Sequence, residues 1–276
     1  MKKIIIKGIS TVLLLVIIVV SFMACDKNNN IVLFSIQNDI DLGLQVSQEI
    51  AADPTTYPIL ARSTNVEAYA YMDAMRDAIL NSGQVVYKDD FAWEMHIIND
   101  PNTLNAFATP GGYIYVYTGL IKYLDKADDL AGVLGHEIAH ADLRHTSRNL
   151  QKSYGVSFLL SLLLGENSSE LAQIAGQLAG NVTGLAFSRD FEQEADAQSV
   201  MYLAQTGYAC NGAAHFFELL EASGQMGSMP QFLSTHPSPD TRIVDIHTKA
   251  TDEGCDTTPI TESIGNTYAD FKLLFQ

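Results

Sequence analysis

The segment VLGHEIAHADLRH, residues 133–145, constrains this chain more than any other. Two histidines, His136 and His140, stand four residues apart, and Glu137 directly follows the first. On a helix the two imidazoles are separated by about 40° and lie one turn apart, as two adjacent corners of a zinc tetrahedron require. Glu137 is turned by about 100°, so it can serve a metal-held water as general base without being a ligand. This is the H-E-x-x-H pattern of metal-dependent hydrolysis.

The alternative interpretation is an exposed helix whose polar face happens to contain histidines. Apolar residues recur along the segment at helical spacing and favour burial instead. They are Leu130, Val133, Leu134 and Ile138. Because buried imidazoles without partners are costly, metal ligation is the better explanation. We therefore predict one long metal-binding helix over residues 126–150, with Asp128 and Asp129 at its positive N-terminal end.

A zinc site needs a third protein ligand, and this segment does not supply it. The longer metzincin pattern requires glycine at position 143 and histidine at position 146. This chain has Leu143 and Thr146 there, which excludes that class. On a continuous helix His145 is turned by about 140° from His140 and faces elsewhere. The third ligand must come from another part of the chain.

The segment FSRDFEQEADAQSV offers the best candidate. Glu192 and Asp196 are four residues apart and share a helical face. A carboxylate that ligates zinc, followed one turn later by a carboxylate that orients a zinc histidine, is typical of such sites. Glu194 points about 200° away from Glu192 and is expected in solvent. We predict that Glu192 completes a site for one zinc ion and that Asp196 supports it.

Two alternatives stay open for these carboxylates. Glu166 and Glu170 have a similar spacing, but they flank a predicted loop rather than lie within a helix. Asp196 could instead pair with a basic residue at the surface. With Glu192 as ligand, the three protein ligands carry a charge of −1 against the +2 of zinc, which leaves an electropositive open position for water.

Alternating apolar residues predict a small sheet before the histidine segment. The predicted strands are QVVYKD (84–89), WEMHIIN (93–99) and GGYIYVYTG (111–119). In the last, Tyr113, Tyr115 and Tyr117 face one way, and Ile114 and Val116 the other. We expect this strand to be an edge, where an extended peptide pairs with the backbone of Tyr113, Ile114 and Tyr115.

The remaining chain has mostly helical periodicity. The predicted fold class is therefore α+β and mostly helical: a zincin-like metalloprotease domain with a small sheet beside the H-E-x-x-H helix. Its 276 residues include 16 basic and 32 acidic residues, and the net charge of −16 argues against a nucleic-acid partner.

The N-terminus has the pattern of a secretory signal peptide, residues 1–24, with three lysines before an apolar run. Cys25 then resembles the lipidated first residue of a bacterial lipoprotein, followed by a polar tether over 25–33. The alternative is an uncleaved single-span anchor. Either arrangement attaches domain 34–276 to a membrane outside the cytoplasm. In such an oxidising compartment Cys210 and Cys255 can form a disulfide, the alternative being two free thiols.

Three motifs carry a resemblance to a known family: NAFATPGGYIYVYTGL, LAGVLGHEIAHADLRH and SRDFEQEADAQSV, in that order. They resemble the membrane-associated gluzincins, which include the CAAX prenyl proteases, HtpX and especially the periplasmic BepA-like peptidases. The likeness extends upstream through DLGLQVSQEI and downstream through STHPSPDTRI. The resemblance implies zinc ligands at His136, His140 and Glu192, catalysis by Glu137, and a role in protein quality control at the envelope.

The STHP segment adds a separate hypothesis, since a histidine in this region of BepA-like relatives can approach the zinc. His236 would then be a fourth ligand that blocks the open position. Alternatively, His236 or Arg242 stabilises the tetrahedral oxyanion. The third possibility is a loop histidine that caps the following helix.

These observations favour a zinc-dependent endopeptidase. Its predicted substrates are misfolded or exposed polypeptides of the bacterial envelope, and its predicted location is the periplasmic face of a membrane, through the lipid on Cys25. The alternative is a chaperone or assembly factor for outer-membrane proteins with latent protease activity. A structural lipoprotein with a non-catalytic zinc is the third option, but such a site has no use for Glu137.

Overall fold

The structure is a computed structural model that describes residues 24–25, 31–32, 34–163, 168–181, 186–223, 231–237, 241–263 and 266–276. Nearly all of the predicted signal peptide lies outside these ranges, and the lipidation site Cys25 is described in its backbone alone. Within the predicted tether, strand β1 (Ala24–Cys25) pairs antiparallel with β2 (Ile31–Val32).

Helices dominate the described residues, which confirms the predicted mostly helical α+β class. The first group is α1 (Ile36–Ala52), α2 (Val66–Leu80), α3 (Thr118–Tyr123), α4 (Ala127–Asp142) and α5 (His145–Leu163). The second is α6 (Ser168–Asn181), α7 (Arg189–Leu203), α8 (Gly212–Ala222), α9 (Gln231–Thr235), α10 (Arg242–Glu253) and α11 (Tyr268–Leu273).

The main sheet has three strands: β3 (Glu94–Ile98), β4 (Ala106–Thr109) and β5 (Tyr113–Tyr117). Their order is β3-β5-β4, with β3 parallel and β4 antiparallel to β5. The prediction that Tyr113, Ile114 and Tyr115 form an edge is therefore wrong, because β5 is the central strand and its backbone groups bond to neighbours on both sides. The outer strands are β3 and β4, and the sequence analysis did not predict β4.

The faces of β5 divide the interior into two cores, as its alternation predicts. Ile114 and Val116 belong to the larger core, with α2, α4, α7 and α8. The three tyrosines belong to a smaller core with α1 and α6. Helix α4 lies on the Ile114 side and every one of its residues is buried. The helix that carries the histidines is therefore central to the domain, and it is not an exposed polar helix.

The stretch QVVYKD forms turns instead of the predicted strand. The backbone N–H groups of Val86 and Tyr87 donate to one carboxylate oxygen of Asp142, at 2.8 and 2.9 Å. Tyr202 donates its hydroxyl to the other oxygen at 2.6 Å. These bonds to a side chain at the end of α4 replace the bonds to a neighbouring strand that QVVYKD would otherwise make.

The predicted helix over 126–150 is interrupted at Arg144, which separates α4 from α5. Arg144 has a φ of 58°, in the left-handed region that a bulky residue rarely adopts. Its buried guanidinium bonds to the Asp39 carboxylate and to the Phe34 and Ser35 carbonyls at the start of α1. These contacts stabilise the strained turn. The turn changes the direction in which the His145 side chain points.

Cys210 and Cys255 form a disulfide that links the start of α8 to the end of α10. Within the described part of the chain, no helix combines the length and apolar character needed to cross a bilayer.

Candidate metal centre

Helix α4 presents two imidazole nitrogens to each other at the centre of the domain. The Nε2 atoms of His136 and His140 are 2.9 Å apart, and both side chains are buried. Their four-residue spacing places both rings on one face, as predicted. Burial is the main cause that lowers the pKa of His140 well below its ordinary value, which keeps this ring neutral and able to ligate a metal.

Helix α7 crosses α4 and brings Glu192 to the same point. Its Oε2 lies 3.4 Å from His136 Nε2, and its Oε1 lies 3.5 Å from His140 Nε2. Burial raises the pKa of Glu192, but the adjacent His236 and His136 imidazoles lower it by a larger amount, so the carboxylate is ionised. The structure therefore brings together all three predicted ligands.

Asp196 and Arg242 lie beside the Nδ1 atom of His136. Asp196 Oδ1 is 2.9 Å from His136 Nδ1. Arg242, the first residue of α10, donates from Nε and Nη2 to the two Asp196 oxygens, at 2.6 Å each. Its Nη1 is also 3.0 Å from Glu192 Oε2. The guanidinium therefore holds both carboxylates in place, which favours a positioning role for Arg242 over the alternative of oxyanion stabilisation.

The donor set fits a zinc ion. In the neutral His136 tautomer whose Nδ1 donates to the Asp196 carboxylate, Nε2 bears the lone pair and faces the Glu192 carboxylate and His140 Nε2. Donor atoms of His136, His140, Glu192 and His236 all lie within 4.8 Å of one another, and all four residues are buried. Imidazole nitrogens and a carboxylate oxygen are ligands that zinc prefers, and a cation at this point would contact all of these groups.

Glu137 is beside this cluster but does not belong to it. It is 1% exposed, and neither of its carboxylate oxygens has a hydrogen-bond partner among the described residues. Burial raises the pKa of Glu137 to about 7, an effect that nearby His236 opposes. A buried carboxylate with a pKa close to neutrality suits a residue that exchanges a proton during a reaction.

His236 follows α9 directly and lies against the cluster. Its Nδ1 is 3.2 Å from both His136 Nε2 and Glu192 Oε1, and its Nε2 is 3.4 Å from Glu137 Oε1. The ring stacks on Phe232, with centroids 4.4 Å apart. This position agrees with the hypothesis that His236 approaches the metal and not with that of a loop histidine that only caps the next helix.

Two predictions about neighbouring residues are wrong. His145 does not face away from His140: the turn at Arg144 returns it, and the two Nδ1 atoms are 2.8 Å apart. Glu194 is not simply solvated, because His145 Nε2 and Arg148 Nη1 contact its Oε2 at 3.1 and 2.6 Å. Partial burial raises the pKa of Glu194, but these two contacts lower it to about 2. Helical spacing could not reveal either contact, since both depend on the interruption.

Comparison of the sequence with known proteins identifies the family of the chain. Residues 70–250 match the model of Peptidase family M48. The chain belongs to peptidase family M48. The predicted relationship to BepA-like zinc metallopeptidases is thereby confirmed, and so is zinc as the cofactor, since M48 metallopeptidases use zinc and this M48 chain has a matching buried donor set.

Several M48 relatives are named for their activity. The mitochondrial metalloendopeptidase OMA1 of Schizosaccharomyces pombe is 37% identical over 155 residues, 56% of this chain and 45% of that protein. OMA1 of Saccharomyces cerevisiae is 29% identical over 207 residues, 72% of this chain and 57% of that protein. The beta-barrel assembly-enhancing protease of Escherichia coli K12 is 33% identical over 164 residues, 56% of this chain and 34% of that protein. The match thus covers less than two thirds of each relative.

Proposed function

We propose that this M48 member is a zinc-dependent endopeptidase that cleaves misfolded or exposed proteins in the bacterial cell envelope. One observation carries the proposal: Glu137, with neither carboxylate oxygen hydrogen-bonded among the described residues, lies next to a buried group of three imidazoles and a carboxylate. A structural zinc site is closed by four protein ligands and needs no neighbouring base. The buried base beside the donor set supports hydrolysis, provided that His236 leaves the fourth position open to water.

His136, His140 and Glu192 would hold the zinc. The ion supplies Lewis-acid chemistry, which polarises the scissile carbonyl and acidifies a water. Asp196 would orient His136, and Arg242 would orient Glu192. The charges of Asp196 and Arg242 are buried and hydrogen-bonded to each other, so both side chains are fixed. This support from neighbouring residues restricts the ligand side chains to the orientation that binding requires.

Glu137 would carry the proton during hydrolysis. Its carboxylate would accept a proton from the attacking water and donate it to the amine nitrogen of the departing product. Burial raises the pKa of this carboxyl, which favours the protonated form that serves the departing amine. Burial of the site excludes bulk water, which strengthens the interactions of these charges.

The substrate strand would pair with β4 and not with β5. Among the described strands β4 pairs with β5 alone, so its other edge makes no strand pairing, and it packs against α4. An extended peptide that pairs with main-chain groups is recognised largely independently of its side chains. This mode of binding suits a peptidase that acts on many unfolded segments.

The envelope location rests on the N-terminal pattern and the cysteines. A lipid on Cys25 would attach the chain to a membrane, facing the periplasm, and the Cys210–Cys255 disulfide is typical of an oxidising compartment. The relative from Escherichia coli is named for β-barrel assembly, whereas the fungal relatives are named as mitochondrial. The signal-like start supports the bacterial envelope for this chain.

A second function is favoured by one observation: His236 is 1% exposed and lies against both Glu137 and Glu192. Residues 231–237 must move before a peptide can reach these carboxylates. The protein could therefore act mainly as a chaperone or assembly factor for outer-membrane proteins, with a protease activity that stays latent until His236 leaves.

Casein cleavage separates these functions. The wild-type chain and Glu137→Gln are compared with Glu221→Gln, a control at an exposed glutamate of α8, after zinc content has been measured in all three. Cleavage lost only in Glu137→Gln, with zinc retained, supports the peptidase. If no protein cleaves casein while unfolded outer-membrane proteins still bind, the chaperone function is correct and the proposed activity is wrong.

A further inference from the structure

The two imidazole ligands of α4 are supported in different ways. His136 contacts the Asp196 carboxylate directly through Nδ1, at 2.9 Å. The Nδ1 of His140 instead faces the Nδ1 of His145, at 2.8 Å. A ligand histidine needs an acceptor at its second nitrogen to fix its tautomer and ring orientation, and a carboxylate or a carbonyl is the usual one. Here another imidazole occupies that position.

His145 has a single hydrogen-bonding arrangement that fits its surroundings. Its Nε2 lies 3.1 Å from Glu194 Oε2, and a carboxylate only accepts, so Nε2 must bear the proton. In a neutral ring Nδ1 then bears a lone pair and accepts the Nδ1 proton of His140. That bond leaves the lone pair of His140 on Nε2, the atom that faces His136 Nε2 and Glu192.

Further contacts hold this arrangement rigidly. The His145 ring is fully buried and stacks on Phe191, with centroids 4.4 Å apart and planes within 4°. Arg148 donates to both Glu194 oxygens, at 2.6 and 3.4 Å, and its guanidinium lies over the Phe191 ring. On the other side, Phe187 stacks on His140 at 4.1 Å. Neither imidazole can rotate without losing one of these contacts.

We infer that Glu194 and His145 form a two-step relay that fixes His140 in the tautomer that binds zinc. Both are positioning residues: neither touches the metal or the substrate. The inference rests on the proposed function, because it assigns His140 as a ligand. The relay also explains the turn at Arg144. On an uninterrupted helix His145 would point away from His140.

Zinc affinity of the full chain, measured by competition with a chromophoric chelator, tests the relay. His145→Phe keeps the ring that stacks on Phe191 but removes the acceptor, and we expect its zinc dissociation constant to rise about tenfold to hundredfold. His145→Asn places an acceptor oxygen close to the position of Nδ1 and should recover most of the affinity. A purely structural role for His145 would not produce this recovery.

Glu194→Ala provides an independent test if His145→Phe does not fold. It should weaken zinc binding, whereas Asp190→Ala, which removes an exposed acid from the same helix, should not. The melting temperature of each metal-free protein verifies folding. Folded His145→Phe, or folded Glu194→Ala, with wild-type zinc affinity would overturn the relay. His140→Ala distinguishes the two proposals: if it too retains wild-type affinity, the metal centre itself is wrong.

Discussion

Arg242 and Asp196 form a buried, two-bond ion pair that joins α10 to α7 directly behind His136. Both bonds are 2.6 Å long, and Arg242 is 1% exposed. The two helices are far apart in sequence, so this pair connects the segment after His236 to the helix that supplies Glu192. The geometry of the metal centre therefore depends on a contact outside the ligand set.

Arg242→Ala is expected to destabilise the protein strongly. It leaves the Asp196 and Glu192 carboxylates buried without their cation, and breaking a buried pair in this way costs about 3–5 kcal/mol. Urea unfolding of the metal-free protein measures the loss. Arg189→Ala, at an exposed position of α7, should change the free energy of unfolding by less than about 0.5 kcal/mol. Equal effects of the two substitutions would contradict the assigned role.

Gly132 permits the close packing of α4 on α8. A Cβ there would lie 2.0 Å from the backbone nitrogen of Ala213, a clash that no side-chain movement can relieve. We expect Gly132→Ala to destabilise the domain by about 1–3 kcal/mol or more. Gly176→Ala in α6 is the matched control, since among the described residues no atom beyond its chain neighbours and the backbone of its own helix lies within 4 Å of the added methyl group. It should be neutral or stabilise by up to about 1 kcal/mol. Thermal unfolding of both variants checks the contrast.

His236→Ala tests whether this residue restrains the site. If His236 blocks the site in about nine of ten molecules, only about one in ten can bind substrate at a given time. Its removal should then raise kcat/KM for casein about tenfold. Zinc affinity should stay high, because His136, His140 and Glu192 remain. His247→Ala, at a half-exposed histidine of α10, is the control. A large fall in kcat with zinc retained would instead assign His236 to oxyanion stabilisation.

Loss of the disulfide should weaken the whole domain. Cys210 and Cys255 are separated by 45 residues, and closing a loop of this size stabilises the folded state by about 4 kcal/mol in the chain-entropy treatment. The double variant Cys210→Ser/Cys255→Ser is therefore expected to unfold at a lower urea concentration than the wild type. The wild type treated with reductant should match it. Identical midpoints with and without reductant would exclude a stabilising role in the folded enzyme.

Local periodicity was sufficient to predict much of the site. His136, Glu137 and His140 lie within one turn and a half of α4, and Glu192 and Asp196 within a little over one turn of α7. Their relative directions follow from helix geometry alone. The apolar stripe of α4 correctly indicated burial, and the alternation of β5 correctly assigned its two faces to different cores.

The errors at Arg144 and at QVVYKD involve contacts between distant parts of the chain, whereas the error about β5 concerns a short neighbouring strand. The left-handed Arg144 depends on Asp39, 105 residues away, and nothing near Arg144 in the sequence indicates it. Strand β4 is only four residues long, and its pairing with β5 makes β5 central. The stretch QVVYKD has the composition of a strand, but the amide groups of Val86 and Tyr87 donate to Asp142 instead of to a neighbouring strand. Tertiary contacts override local preference at each of these positions.

Zinc stoichiometry by native mass spectrometry tests the central claim most directly. The account predicts one zinc ion per wild-type chain and one in Glu137→Gln, whose side chain is a base and not a ligand. It predicts that zinc is lost, or retained only weakly, in Glu192→Ala and in His136→Ala. Full zinc occupancy in Glu192→Ala, with affinity equal to that of the wild type, would contradict a centre built from one imidazole pair and the carboxylate of α7.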